Sequence, residues 1–320
     1  DRGHLAQAIW GIPYFYRQFG YEMALPEPVT CHADWGRLPS APKEPLPFRV
    51  RDLCPDDVDL ATRLYAAGAR RSMAAPVATG EFMSWYLLGQ SVPEGVEYLG
   101  WVIEGTDGQP IGYVTAEHRL KKGEFTVYDF EIQPGHSWLG PCRALLEKLK
   151  EEREQREQRG ARPGKLNFKL DSGHPLYSVM PSVVKPGANR EYAAYMRVPD
   201  IHALLRRIAP ALEQRVAESA APGYSGTVTI GNYRTAVAME LDSGKLARVS
   251  EARMPANWRD VSACFPDLAF LQLLFGRRTL DELQHAFPDC YVKDDEARLL
   301  MNTLFTRSPS QRDGWLLRTV

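Results

Sequence analysis

The sequence predicts an α/β fold that turns α+β in its last third, and three observations carry that reading. Between residues 46 and 199, strand-like and helix-like periods follow in the order strand, helix, helix, three strands, helix, strand. That order describes a mixed sheet with flanking helices and not a doubly wound repeat. After residue 200 the order becomes helix, three strands, three helices. A stretch with six prolines, Pro26–Pro47, separates both parts from a short aromatic beginning. Proline fixes φ and removes a donor, so this stretch reads as an extended linker. The expected organisation is therefore residues 1–45, 46–199 and 200–320.

The elements follow from local chemistry. Pro47–Leu53 alternates like a strand, and Pro55-Asp56-Asp57 opens a helix toward Arg71 with Leu60, Leu64 and Ala67 at helical spacing. Glu81–Leu88 reads as a second helix. Tyr98–Glu104, Ile111–Leu120 and Phe125–Ile132 read as strands, the first two joined by the turn Gly105-Thr106-Asp107-Gly108. A long helix runs from Pro141, suited to a first turn, to about Arg159, where Gly160 ends it. Its Glu147–Arg159 stretch mixes both charges and reads as a solvated face with pairs to Lys148 and Lys150. Lys165–Leu170 is the next strand. Near Val198-Pro199-Asp200 a strand-like run gives way to the amphipathic helix Ile201–Ser219, capped by Asp200, with Leu204, Leu205, Ile208 and Leu212 on one face. Gly226–Asn232, Arg234–Leu241 and Gly244–Val249 read as strands. Asp267–Phe275, Thr279–Ala286 and Asp294–Leu304 read as helices, with Thr279 and Glu282 forming a capping box.

Composition limits the function classes. The 320 residues carry 39 Lys+Arg against 40 Asp+Glu, which argues against a generally basic nucleic-acid binder. No run approaches a membrane-spanning helix and nothing resembles a secretory signal. The five cysteines are scattered and form no CxxC, which suits reduced thiols in the cytoplasm. The seven histidines are dispersed with no HExxH, so no metal site is expected. Asp171-Ser172-Gly173-His174 gathers the residue types of a catalytic triad. Neighbours in sequence do not make a triad's geometry, so the stretch reads as a turn followed by a helix cap.

The most distinctive segment is Gly11–Tyr21, GIPYFYRQFGY. Its Tyr16-Arg17-Gln18-Phe19-Gly20-Tyr21 resembles the Tyr-x-x-x-Gly-Phe/Tyr segment near the end of GCN5-related N-acetyltransferase (GNAT) domains. There a short helix carries a tyrosine beside the acetyl-CoA thioester. Gly11-Ile12-Pro13 and Glu22–Leu25 narrow the resemblance to the enhanced intracellular survival (Eis) type. In that type a GNAT domain is followed by a GNAT-like domain and a sterol-carrier-protein-like domain. Residues 46–199 resemble the second of these and residues 200–320 the third, Phe270–Asp289 being the most family-like stretch there. The resemblance implies a homo-oligomeric, acetyl-CoA-dependent enzyme acting on a primary amine of a small molecule or a lysine.

Acetyl transfer needs a proton for the departing thiolate, and a tyrosine phenol, with an ordinary pKa of about 10, is matched to that task. Tyr16 is the position corresponding to the family's general acid. By the same resemblance the terminal carboxylate, here on Val320, takes the amine's proton; Tyr14 and Tyr21 are read as packing residues. The family holds CoA with an Arg/Gln-x-x-Gly-x-Gly/Ala loop at a helix N-terminus. Only 15 residues precede Tyr16 and none of them forms that loop, so the chain is expected to carry the last part of the catalytic domain. The corresponding loop of the second domain, Gln133–Pro141, has the wrong glycine spacing and a proline in place of a donor, which favours a scaffold role there. The alternative left open is a non-catalytic lipid-binding or scaffolding module, in which the apolar run Phe265–Phe275 lines a cavity or forms ordinary core.

Overall fold

Apolar faces at period two and at helical spacing find partners in two separate compact units of the computed structural model, which describes residues 3–40, 44, 46–89, 98–117, 123–161, 163–187 and 192–307. One unit joins Asp1–Pro26 to Tyr192–Ser308, and the other holds Glu27–Glu191.

In the first unit a three-stranded antiparallel sheet places Ala193–Arg197 between Gln7–Ile9 and Glu22–Pro26. The strand Ala193–Arg197, counted from sequence with residues 46–199, thus pairs with the beginning of the chain. Its residues Ala193–Met196 are all buried, so both faces need cover, and the two flanking strands satisfy its hydrogen bonds. A second sheet has the order Lys245–Ala252, Ala236–Asp242, Gly226–Gly231, Ala263–Cys264, Tyr291–Val292. The helix expected over Ile201–Ser219 is two helices, Ile201–Arg207 and Ala209–Ala217, broken at Ile208. Pro210 explains the break: it has no N–H to continue the first helix and suits the first turn of the second. Asp200 caps the first helix by accepting from the Ala203 N–H at 2.9 Å. The capping box is present: Glu282 N–H donates to Thr279 Oγ1 at 3.2 Å, and Thr279 N–H donates to Glu282 Oε2 at 2.8 Å.

In the second unit seven strands form one mixed sheet: Arg49–Asp52, Tyr98–Glu104, Pro110–Glu117, Glu124–Ile132, Lys165–Phe168, Cys31–Ala33, Val184–Pro186. The proline-rich stretch is therefore more than a linker. Cys31 and Ala33 alternate inward and pair with strands on both sides, while Asp34 caps a short 3-10 turn at Trp35–Arg37. The strand expected over Ile111–Leu120 is Pro110–Glu117, its last three expected residues lying outside the described ones. Helix Val58–Ala69 buries Val58, Ala61, Leu64, Tyr65 and Gly68. Of the expected face, Leu64 is buried and Leu60 packs partly buried against the same cluster. Asp57 bonds Arg51 at 2.6 and 2.8 Å, and that guanidinium holds its carboxyl down at about 2.

The 20-residue helix Leu139–Gln158 crosses between Glu124–Ile132 and Lys165–Phe168, which pair in parallel. It buries Cys142, Leu145, Leu146 and Leu149 on the sheet against Trp101, Phe130 and Phe168. Its outer face carries the expected Lys150–Glu147 pair at 2.8 Å, while Lys148 pairs with Glu152 at 3.5 Å and Arg153 with Glu157 at 2.7 Å. No helix of the described residues is long and apolar enough to cross a membrane.

Candidate functional site

The segment Gly11–Tyr21 lies in the first unit as a glycine-hinged turn around a 3-10 helix, Phe15–Phe19. Gly11, at φ +144°, and Gly20, at φ +80°, take conformations that side chains disfavour. Tyr14 is the exception, a non-glycine at φ +68°. Residues so strained persist where the surroundings hold them. Here the Tyr14 N–H donates to the Tyr195 hydroxyl at 2.7 Å, and the Tyr192 hydroxyl donates to the Gly11 carbonyl at 3.3 Å. Strand Ala193–Arg197 and its approach thus clamp the turn at two points.

Tyr16 is half-buried in an aromatic cluster. Its ring meets Phe15 at 5.4 Å, Tyr195 at 5.7 Å and Tyr21 at 6.2 Å between centroids. Such offset and edge contacts fix a ring's direction. The phenol lies over Gly11, where a Cβ would come within 2.9 Å of the hydroxyl. Gly11→Ala is therefore expected to displace the phenol and to cost about 1–3 kcal/mol for its backbone alone. Thermal melting together with the Tyr16 ring resonances checks this; an unshifted spectrum and melting point would show the glycine to be dispensable.

Beneath the turn sits a buried charge group. The Glu22 carboxylate accepts from Arg17 Nη2 at 2.7 Å, from Gln272 Nε2 at 3.1 Å and from the Met23 N–H at 3.1 Å. Burial raises its pKa, and Arg17 opposes that rise. Arg277 donates to the Met23 carbonyl. Tyr21, read as a packing residue, donates its hydroxyl to Gln7 at 3.0 Å. Tyr14 is not a core residue: it is 75% exposed, with the Arg17 guanidinium 5.5 Å from its ring centroid. With Ile12, Phe15 and Phe19 it leaves an apolar surface beside Tyr16.

The sequence singles out Tyr16 as an expectation, and the structure places Tyr195, Tyr192, Glu22 and Gln272 around the same turn, none of which is a site candidate from sequence. The only available signal was the tyrosine spacing in Tyr192-Ala193-Ala194-Tyr195. Val320 lies outside the described residues. Among the described residues no three His, Cys, Asp or Glu side chains converge as metal ligands would.

The loop Gln133–Pro141 of the second unit does not fit a pyrophosphate. Pro141 falls in the first turn of its helix and offers no N–H, and Trp138 stands at the N-cap position. Strands Glu124–Ile132 and Lys165–Phe168 pair in parallel over Glu124–Val127, where the second strand ends. Beyond that pairing His174 reaches the first strand. Its Nδ1 accepts from the Leu176 N–H at 3.1 Å, so Nε2 carries the proton and donates to the Phe130 carbonyl at 2.6 Å. The Phe130 and Trp138 rings pack around it at 5.7 and 5.0 Å. His174 is also the N-cap of the short helix Pro175–Val179, the turn-and-cap role expected of Asp171–His174.

No protein-family model and no curated protein matches the sequence. Solved structures do share the fold. A GCN5-related N-acetyltransferase from Anabaena variabilis is similar at TM-score 0.65 and 12% identity, over 96% of this chain and 71% of that one. A GCN5-related N-acetyltransferase from Kribbella flavida is similar at TM-score 0.64 and 16% identity, over 97% and 70%. Eis1 from Mycobacterium abscessus is similar at TM-score 0.57 and 16% identity, over 97% and 72%.

Proposed function

We propose that the protein is an acetyl-CoA-dependent N-acetyltransferase of the Eis type, with a primary amine of a small molecule or a lysine as acceptor. The observation that carries the reading is the clamped Tyr16 turn in a chain whose fold matches GCN5-related N-acetyltransferases over nearly its whole length. In the proposed reaction the amine nitrogen attacks the thioester carbonyl, the new C–N bond forms and the C–S bond breaks. Tyr16 gives its phenolic proton to the departing thiolate, and the Val320 carboxylate takes the proton released by the amine. The exposed apolar surface of Ile12, Tyr14, Phe15 and Phe19 is the side from which we expect the acceptor's carbon body to approach.

The resemblance also supports reading residues 200–320 as sterol-carrier-protein-like, this chain as the closing part of the catalytic domain joined to two further domains, and the protein as a cytoplasmic homo-oligomer. The loop Gln133–Pro141 does not fit the phosphates of CoA, so in this reading another segment holds them. The test is thiol release from acetyl-CoA by the intact protein with polyamines, aminoglycosides and lysine peptides as acceptors. Turnover with at least one amine is expected, and a few residues added after Val320 should lower kcat. The absence of turnover across the panel would overturn the reading.

A further inference from the structure

The second sheet of the first unit carries a cavity of about 360 Å³, lined by no residue of the Tyr16 turn. Its position follows from strand register. Ile230 pairs with Val237, and Val237 with Glu251, so one cross-strand row runs from two buried aliphatic side chains to an exposed carboxylate. Phe270 and Leu271 supply further apolar wall, and Asp267, also exposed, adds a second carboxylate to the lining.

His202, in the first turn of helix Ile201–Arg207, lines the same cavity. Its Nδ1 lies 3.5 Å from Asp200 Oδ1, while its Nε2 is buried with no hydrogen-bond partner among the described residues. A proton on Nδ1, facing Asp200, leaves Nε2 as a bare acceptor. A buried acceptor without a donor costs free energy, and a ligand N–H would recover it. Among the described residues no Lys or Arg lines the cavity. An apolar floor with acceptors and negative charge around it selects against anions and for a donor-bearing cation. The volume lies at the small end of ligand pockets, which run from about 300 to 1,000 Å³.

We propose that this cavity binds a small organic cation, a primary ammonium on an alkyl or aryl body of about eight carbons. The body lies on Ile230, Val237, Phe270 and Leu271, and the ammonium faces His202 Nε2 and the two carboxylates. The proposal is independent of acyl transfer, because binding is read without acetyl-CoA.

Calorimetric titration of the intact protein at neutral pH with n-octylamine, 1-octanol and octanoate tests it. Octylamine should bind saturably, at least about tenfold tighter than octanoate, with octanol between them. The double variant Glu251→Gln, Asp267→Asn should weaken octylamine at least about fivefold and narrow its lead over octanoate. Both side chains are exposed and Asn tolerates the φ of +44° at position 267, so folding should survive. Neither substituted residue belongs to the Tyr16 turn, so the response to the double variant separates this site from the acetyl-transfer site. Octanoate binding as tightly as octylamine, or an affinity unmoved by the double variant, would overturn the proposal.

Discussion

Tyr16→Phe is expected to lower kcat for acetyl transfer by about 10²- to 10⁴-fold, the usual contribution of a positioned general acid. KM for acetyl-CoA should stay within about twofold, because only a transition-state interaction is removed. The substitution deletes one oxygen and keeps the ring, so the contacts with Phe15, Tyr195 and Tyr21 persist and the turn holds its shape. A merely structural tyrosine would behave differently, losing stability and rate together. The melting temperature is therefore measured with the kinetics, and a variant of full activity would remove Tyr16 from the mechanism. Tyr195→Phe is the informative control. It keeps the ring beside Tyr16 and removes only the acceptor for the strained Tyr14 N–H.

The same cluster shows how far the sequence could be read. Tyr16 was legible because glycines and aromatics at short spacing mark a tight turn whatever surrounds it. Tyr195 was not, because it reaches the turn through a strand pairing that spans some 180 residues of chain. Gln272 reaches Glu22 across 250. Nothing local in either stretch announces such a partner. The same limit explains the strands. Tyr98–Glu104 carries its own apolar run and turn residues and was found to the residue. Gln7–Ile9 and Cys31–Ala33 are three residues long and become strands because long-range neighbours offer them hydrogen bonds. In Cys31–Ala33 the surrounding prolines argued for a linker, yet none falls within the strand itself. The break at Ile208 was legible in principle, since Pro210 stands two residues on, but the amphipathic stripe continues through it and hides the change.

The largest expected effect on stability is at Arg71, in the second unit. Its Nη2 lies 2.6 Å from Glu131 Oε1 and 3.1 Å from Asp171 Oδ2, and the two carboxylate side chains are only 2% and 1% exposed. Burial works against the guanidinium's charge, but the two carboxylates outweigh it and its pKa ends above the ordinary value. The group ties three separate pieces of chain: the end of helix Val58–Ala69, strand Glu124–Ile132 and the turn leading to His174. Arg71→Met keeps much of the stem's volume and removes the cation that the two buried carboxylates share. Breaking a buried charge group from one side costs about 3–5 kcal/mol, more than replacing the whole group would. Glu131→Gln placed in the Arg71→Met background should recover part of the loss at pH 7, because one buried charge goes with it. Urea unfolding of both variants at pH 7 reads these statements. A loss under about 1 kcal/mol would show that Arg71 is not what holds the two carboxylates in place.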